Sequence, residues 1–134
     1  MDPFPPITHV AVTVSDLERS VPWYRTLFGC EPALDEDTGP FRHVVFPVGG
    51  TLFGLHRFPD PHAGGFDERR VGLDHVAFGV DARDELEKWA ARLDELEVAH
   101  GEIVDASYGS GLAFHDPDGI ALELFAPPAA PTAG

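Results

Sequence analysis

The sequence has little cysteine, little positive charge and no long apolar run. Its one cysteine, Cys30, cannot close a disulfide within the chain. Nine basic residues stand against 23 acidic ones, and the formal net charge of −14 repels nucleic-acid phosphates and anionic lipid surfaces. No apolar run approaches the roughly 18 residues that a membrane span needs. We therefore expect a small-molecule partner, and neither a nucleic acid nor a membrane.

The first residues also lack a targeting signal. Residues 1–6 read MDPFPP, which has neither the basic start nor the apolar stretch of a secretory leader, so we expect a cytoplasmic protein. A chain of 134 residues can bury one core but is short for two ordinary domains. We therefore predict a single domain over residues 1–134.

A sequence unit occurs twice. Residues 7–14 read ITHVAVTV and residues 73–80 read LDHVAFGV, which aligns His9 with His75. Helix-like stretches follow at 15–29 and 81–96. Strand-like runs then follow at 41–48 and 51–58 in the first copy and at 111–115 and 120–125 in the second, with weaker strands near 31–34 and 98–104. This order predicts an α+β fold of two β-α-β-β-β modules, which form a cupped mixed sheet with helices on the outer face.

Composition sets the module boundaries and the helix ends. We place module one at about 7–58, a linker rich in proline, glycine and charge at about 59–70, module two at about 71–127, and a frayed tail at 128–134. Pro22 suits only the first turn of a helix, which predicts an N-cap at Ser20, and Gly29 suits the C-terminal cap. The segment Asp116-Pro-Asp-Gly119 predicts a tight turn.

Three side chains form the main candidate site. Side chains alternate along a strand, so His9, His75 and Glu123 each face away from the apolar positions of their strands. Each one alone has an ordinary explanation, as a hydrogen-bonded sheet histidine or a solvated strand carboxylate. Together they match a site of two histidines and one carboxylate, which leaves metal coordination positions open for water and substrate.

The chain resembles the vicinal oxygen chelate superfamily over residues 7–127. The motifs that carry this resemblance are HVAV from His9, DL from Asp16, WYRTLFG from Trp23, LDHVA from Leu73 and DPDGIALEL from Asp116. The superfamily includes glyoxalase I, bleomycin and fosfomycin resistance proteins, methylmalonyl-CoA epimerase and extradiol dioxygenases. The resemblance implies two paired modules, a cup that holds a divalent metal, and often a homodimer. It assigns metal-ligand positions to His9, His75 and Glu123.

One expected ligand is missing. Aligning residues 51–56 with residues 120–125 places Gly54 opposite Glu123, and a glycine has no side chain that can bind a metal. Glyoxalase I carries a metal-bound glutamate there and the epimerase a comparable polar ligand, so glyoxalase I activity is disfavoured. His56 shares that strand face and would act as a third imidazole ligand or as an acid–base group. A rim histidine bonded to solvent is the alternative.

Other side chains complete the predicted site. We expect His56, Tyr108 and His115 to be catalytic, and Phe58 and Phe125 to contact a substrate that is apolar or aromatic. An anionic substrate would depend on the arginines at positions 42, 57, 69 and 70. The histidines at positions 43, 62 and 100 have no counterpart in the repeat and are interpreted as structural or surface residues.

The sequence therefore predicts a divalent-metal-dependent enzyme, dioxygenase-like or lyase/transferase-like, whose small oxygen-bearing substrate chelates the metal. Imidazole and carboxylate ligands suit iron, manganese, zinc, nickel and cobalt alike. A metal-free protein that sequesters a drug, of the bleomycin-resistance type, is the alternative. A protein with a vestigial cup and a functional outer surface is a third hypothesis.

Overall fold

The computed structural model describes residues 2–129, which form two compact units that divide between Gly64 and Gly65. Each unit holds one helix and one four-stranded mixed sheet. The predicted α+β class is confirmed. The division falls inside the predicted linker, whereas the single-domain organisation stays a prediction. Residues 130–134 of the predicted tail lie outside the described residues.

Unit 1 has the element order predicted for the first module. Its elements are β1 His9–Thr13, α1 Leu17–Phe28, β2 Leu34–Asp37, β3 Arg42–Val48 and β4 Thr51–Arg57. The sheet order is β1-β4-β3-β2, with β1 parallel to β4 and the other pairs antiparallel. The crossover through α1 therefore places the first and last strands of the unit side by side.

Unit 2 repeats this arrangement. Its elements are β5 Val76–Gly79, α2 Arg83–Glu95, β6 Val104–Ala106, β7 Gly109–His115 and β8 Ala121–Ala126. The order is β5-β8-β7-β6, again with a parallel first pair. The same topology in both halves confirms the predicted duplication. No helix within residues 2–129 is long and apolar enough to cross a bilayer.

Each sheet buries one face against its helix. In unit 1, Tyr24 of α1 is fully buried, as are Val44 and Leu55 of the sheet. In unit 2, Leu86 and Leu93 of α2 are fully buried with alternate residues of β7 and β8. Because strand side chains alternate, the remaining residues share the opposite face, which we call the helix-free face. The candidate site residues on strands lie there.

Helix α1 begins earlier than predicted. The Asp16 carboxylate accepts a hydrogen bond from the Glu18 amide at 2.9 Å and caps the helix, whereas Ser20 lies buried inside it. Pro22 is therefore an interior residue, and the helix forgoes one backbone hydrogen bond there. The N-cap prediction at Ser20 was wrong because the cap and the buried face outweigh that single loss. Gly29 does end the helix, at φ 66°.

The two edge strands lie further along the chain than predicted. β2 and β6 overlap the predicted 31–34 and 98–104 at one residue each, and every residue in them is exposed. Their sequences, LDED and VDA, also lack the run of alternating apolar and polar residues that predicts a half-buried strand. An arginine holds each one: Arg42 bonds both Asp35 oxygens, at 3.0 and 2.8 Å, and Arg83 bonds both Asp105 oxygens, at 2.6 and 3.1 Å.

The turn before β8 forms as predicted. The Asp116 carboxylate accepts hydrogen bonds from the amides of Asp118 and Ile120, both at 2.9 Å, and Gly119 adopts φ 79°. A glycine is favoured at that positive φ because it has no Cβ. The turn sets where β8 begins and hence which of its residues face the helix.

Candidate functional site

The two candidate metal histidines are held in the same way. The Nδ1 atom of His9 lies 2.9 Å from the Thr8 hydroxyl, and Nδ1 of His75 lies 2.7 Å from the Asp74 carboxylate. At His75, Nδ1–H donates to the Asp74 carboxylate, which leaves the Nε2 lone pair of the neutral ring free to bind a metal. At His9 the Thr8 hydroxyl is able either to donate to Nδ1 or to accept from it, so this contact orients the ring without fixing its tautomer. His9 begins β1, whereas His75 precedes β5 by one residue instead of lying on the strand. Both rings therefore have a hydrogen-bond partner at Nδ1, and the carboxylate partner of His75 is of the kind that metal-binding histidines usually have.

Glu123 lies on the helix-free face of unit 2. It sits between Ala77 of β5 and Ala113 of β7, and alternation assigns His75 to the same face. Its carboxylate extends over Gly111, where a Cβ atom would lie only 3.0 Å from the carboxylate carbon. Because residue 111 is a glycine, there is room above β7 for this carboxylate.

The register confirms that Gly54 is the counterpart of Glu123. Ala11 of β1 lies beside Gly54, just as Ala77 of β5 lies beside Glu123. Position 54 is therefore the place on unit 1 from which a second carboxylate would project. The helix-free face of unit 1 has no side chain at that point.

His56 covers the gap above Gly54. A Cβ atom built on Gly54 would lie 3.7 Å from Nε2 of His56, so the imidazole folds back along β4 over the glycine. The ring stacks on Phe41, with centroids 4.7 Å apart and planes 15° apart, and meets His43 edge-on at 5.2 Å. Burial, followed by the nearby His43 and His9 rings, lowers the pKa of His56, which favours a neutral imidazole.

His43, which the sequence pattern predicts to be a structural or surface residue, lies beside His56. It pairs with His56 across β3 and β4, and within residues 2–129 its buried Nε2 has no hydrogen-bond partner. Phe41 precedes β3 on the same face and also contacts Phe58, at 5.6 Å between ring centroids. Alternation along the strand was the signal that could have grouped these residues. Residues 41 and 43 lie on the same side of β3, and the pairing of β3 with β4 places that side on the face of His56.

The predicted unit 2 residues occupy two places. Tyr108 lies in the turn between β6 and β7, and its ring is parallel to that of Phe125, with planes 13° apart and centroids 6.2 Å apart. His115 ends β7 opposite Ala121 and is exposed on the face that carries Glu123. Unit 2 therefore presents an aromatic pair and a titratable group on its helix-free face.

The arginines considered for an anionic substrate do not lie on these faces. Arg42 is engaged by Asp35, and both Arg42 and Arg57 occupy strand positions on the helix side. Arg69 and Arg70 lie in the segment between β4 and β5. Within residues 2–129, no strand position on either helix-free face is arginine or lysine. The described strands of the two faces carry imidazoles, aromatic rings and the carboxylates of Glu36 and Glu123.

The candidate donors are of types that bind divalent metals. His9 belongs to unit 1, and His75 and Glu123 belong to unit 2. Among residues 2–129, no three histidine, cysteine or acidic side chains are already grouped to hold an ion. The anchored imidazoles and the carboxylate above Gly111 nevertheless fit the donor chemistry of iron, manganese, zinc, nickel or cobalt.

Known proteins resemble this chain over nearly its whole length. The model of a family described as Glyoxalase/Bleomycin resistance protein/Dioxygenase superfamily matches residues 6–124. The metallothiol transferase FosB of Staphylococcus saprophyticus is 27% identical over 120 residues, which cover 88% of this chain and 74% of that protein. The FosB of Staphylococcus haemolyticus is 28% identical over 121 residues, which cover 88% and 81%.

Solved structures agree on the fold. A glyoxylase/bleomycin resistance protein/dioxygenase domain from Frankia sp. EAN1pec superimposes with a TM-score of 0.84 at 28% identity, over 96% of each chain. A mutant of the fosfomycin resistance protein FosX from Listeria monocytogenes, complexed with Mn(II) and 1S,2S-dihydroxypropylphosphonic acid, gives 0.68 at 18% identity, over 91% of this chain and 92% of that one. The second likeness shows the fold alone.

Proposed function

The chain belongs to the Glyoxalase/Bleomycin resistance protein/Dioxygenase superfamily, and we propose that it is a divalent-metal-dependent enzyme acting on a small oxygen-bearing substrate that chelates the metal. His9, His75 and Glu123 are the proposed ligands. A bound ion would polarise a substrate oxygen and stabilise negative charge that develops on it. The observation that carries the proposal is the matched anchoring of both histidines, each at Nδ1 by the preceding side chain.

We propose a substrate that carries little or no charge and that has apolar or aromatic groups. Ring pairs lie on both helix-free faces, His56 with Phe41 and Phe125 with Tyr108, and flat rings of this kind hold an aromatic substrate by stacking. In the part of the chain that the structure describes, the strands of these faces carry no arginine or lysine, which argues against a doubly charged phosphonate. Phe58 and Phe125 are the proposed substrate contacts.

Proton transfer is assigned to side chains beside the proposed ligands. His115 lies on the face that carries Glu123, and Tyr108 lies against Phe125. His56 fits either of two roles, as a neutral proton acceptor or as an additional imidazole ligand. The absence of a carboxylate at Gly54 argues against glyoxalase I chemistry, because the resemblance places the base of that enzyme there.

The reaction class has two candidates. A dioxygenase-like reaction agrees with the open 2-His-1-carboxylate ligand set. A transferase reaction is favoured by the 27% and 28% identity to proteins named metallothiol transferase. The two are separated by supplying the metal-loaded protein with a catechol and oxygen, or with a thiol and an epoxide, and following substrate loss.

The metal requirement is tested first. Protein purified without chelators is analysed for metal per chain, alongside His9→Ala, His75→Ala and Glu123→Ala. The matched control is His62→Ala, because His62 is exposed in the segment between β4 and β5. We expect metal in the wild type and the control, and its loss in the other three. A wild type that stays empty after metal is supplied would overturn the proposal and favour a metal-free binding protein.

The assembly and the location are also proposals. Relatives named by the resemblance often form homodimers, and we propose a cytoplasmic homodimer here. Light scattering coupled to size-exclusion chromatography gives the solution mass directly. A mass near the 14.5 kDa of one chain would contradict the dimer.

A further inference from the structure

The hairpin of β6 and β7 in unit 2 holds an exposed aromatic ring. Its turn consists of residues 107–108 and is closed by the pairing of Ala106 with Gly109. Tyr108 is 73% exposed, yet its ring lies parallel to that of Phe125, with planes 13° apart. An exposed tyrosine at the tip of a hairpin samples many rotamers unless its surroundings restrain it. Two restraints act on this hairpin.

One restraint is an ion pair that ties the hairpin to helix α2. Arg83, the first residue of α2, donates hydrogen bonds to both carboxylate oxygens of Asp105 on β6, at 2.6 and 3.1 Å. The hydroxyl of Ser110, which pairs with Asp105 from β7, donates to the same carboxylate at 2.6 Å. We call these three residues the hairpin clip. The clip joins both strands of the hairpin to the helix, on both sides of the turn that carries Tyr108.

The clip is fully charged at neutral pH. Hydrogen bonds from Arg83 and then from Ser110 lower the pKa of Asp105 to about 2. A single exposed ion pair usually adds little stability, whereas a bidentate arginine–carboxylate pair fixes a geometry. The main effect of the clip is therefore on where the hairpin lies, and not on the overall stability of the fold.

The second restraint is the glycine that follows the turn. Gly109 adopts φ 143°, a backbone conformation that residues with a side chain rarely take. A Cβ atom at this position would overlap the Phe125 ring, whose Cε1 atom would lie only 2.7 Å away. The absence of a side chain at residue 109 therefore leaves the space over β7 in which the Phe125 ring meets that of Tyr108.

We infer that the hairpin clip positions Tyr108 beside Phe125, so that the two rings form a stacking site for a planar aromatic group of the substrate. The inference rests on the proposed function and deepens it, because it names the part of unit 2 that binds the ring. The clip residues act through Tyr108 and are positioning residues. The hydroxyl of Tyr108 keeps its proposed part in proton transfer.

The location of the two rings fits a small substrate that also reaches Glu123. Phe125 and Glu123 are two residues apart on β8 and share the helix-free face, which places them about 7 Å apart along the strand. Because Tyr108 is 73% exposed, most of its ring surface is available to a ligand. A molecule with a polar group near the Glu123 carboxylate can therefore place an attached ring against Tyr108 and Phe125.

The test follows the two tyrosines of the chain. Tyr24 is fully buried in unit 1, so in protein labelled with 3-fluorotyrosine its fluorine signal is an internal reference for Tyr108. Tyr108→Leu assigns the two signals. The probe is 4-nitrobenzyl alcohol, an uncharged planar ring, and cyclohexylmethanol is the non-planar control of similar size. All titrations contain a metal chelator, so they do not depend on a bound ion.

The variants remove the clip from either side. Arg83→Gln and Asp105→Asn each lose the bidentate pair, and Arg83→Lys keeps the charge without the two parallel hydrogen bonds. Arg92→Gln is the matched control, because Arg92 is an exposed arginine of α2 that pairs with Glu95 of the same helix, at 3.6 Å. The Tyr24 signal shows whether each variant is folded. If one clip variant is not folded, the other decides the test.

We expect 4-nitrobenzyl alcohol to shift the Tyr108 signal to saturation, with the same affinity in the wild type and in Arg92→Gln. Loss of the clip should weaken this affinity about two- to tenfold, because Tyr108 must then be ordered when the ring binds. Arg83→Lys should fall between the wild type and Arg83→Gln. Cyclohexylmethanol should bind about two- to tenfold more weakly than the planar probe.

The outcomes separate positioning from stability. A clip that only stabilised the fold would change the urea midpoint and leave the probe affinity of the folded protein unchanged. Equal affinity in Arg83→Gln, Asp105→Asn and Arg92→Gln would therefore overturn the inference. Equal binding of the two probes, or a Tyr108 signal that does not shift, would overturn it as well. Each of these results leaves the proposed metal requirement untouched. A wild type that binds no metal but shows clip-dependent probe binding would instead overturn the proposed function and retain the stacking site.

Discussion

Unit 1 and unit 2 place their first and last strands in the same parallel register, with Ala11 beside Gly54 in one and Ala77 beside Glu123 in the other. In each unit a glycine lies beneath a candidate site side chain, but the two glycines are on different strands of the repeat. Gly111 of β7 lies beneath Glu123, and Gly54 of β4 lies beneath His56. The two copies therefore share a backbone register while a different polar side chain covers a glycine in each.

The shared scaffold is tested by the leucines that face the helices from the last strands. Leu55 is fully buried and Leu124 is 7% exposed. Leu55→Ala and Leu124→Ala should each lower the free energy of unfolding by about 2–5 kcal/mol, because a buried leucine loses both its transfer energy and its packing. Urea unfolding measures both losses. A much smaller loss at either position would show that the two cores are not equivalent.

The anchors of the two histidines are tested next, because one is charged and the other is neutral. Asp74→Asn should weaken metal binding by about tenfold, since a carboxylate at Nδ1 raises the basicity of His75. Thr8→Val should weaken it by only about threefold, since the hydroxyl mainly orients His9. Calorimetric titration with zinc measures both. Equal effects would contradict the distinction between a charged and a neutral anchor.

The two glycines provide a matched pair with a smaller expected effect. A Cβ atom at Gly111 would lie 3.0 Å from the Glu123 carboxylate, whereas one at Gly54 would lie 3.6 Å from Ala11. Gly111→Ala should therefore displace the carboxylate and weaken metal binding by several-fold, up to about tenfold. Gly54→Ala should leave affinity nearly unchanged. An equal loss of metal affinity in Gly54→Ala and Gly111→Ala would contradict the role given to Gly111, which is to leave room for the Glu123 carboxylate.

The smallest expected effect is in the pH dependence of stability, because the pKa of His56 in unit 1 is lowered and the pKa of His100 in unit 2 is raised. In the metal-free protein His56 should titrate below 6.5 because burial disfavours its charge, so it reduces stability as pH falls from 6.5 through its lowered pKa. His100 should titrate above 6.5, because bonds to the Gly101 carbonyl and the Asp94 carboxylate favour the charged ring. Its stabilisation is complete below 6.5 and is lost as pH rises through the raised pKa.

Nuclear magnetic resonance of the histidine ring protons measures both midpoints. Asp94→Asn is the control for His100 and should return its midpoint toward 6.5. A single common midpoint for the two rings would contradict the difference between the units.

The sequence pattern was sufficient to predict those features that depend on strand alternation, repeat alignment or turn residues. The duplicated ITHVAVTV and LDHVAFGV segments, the faces of His9 and Glu123, and the match of Gly54 to Glu123 all follow from strand alternation and repeat alignment, and the register agrees with them. The turn at Asp116 follows equally from its proline, aspartate and glycine. These features depend on neighbours within a few residues.

Other features depend on residues that only the folded chain brings together. The start of α1 was set by the Asp16 cap and a buried face, and the positions of β2 and β6 by partner strands and by Arg42 and Arg83. The fold of the His56 ring over Gly54 depends on Phe41 and His43 from the preceding strand region. Alternation determines which face a side chain occupies, but its rotamer and partners are decided by packing across strands. The sequence alone thus determined the repeat and the faces of its candidate site residues, and the tertiary structure decided which partners each of those side chains contacts.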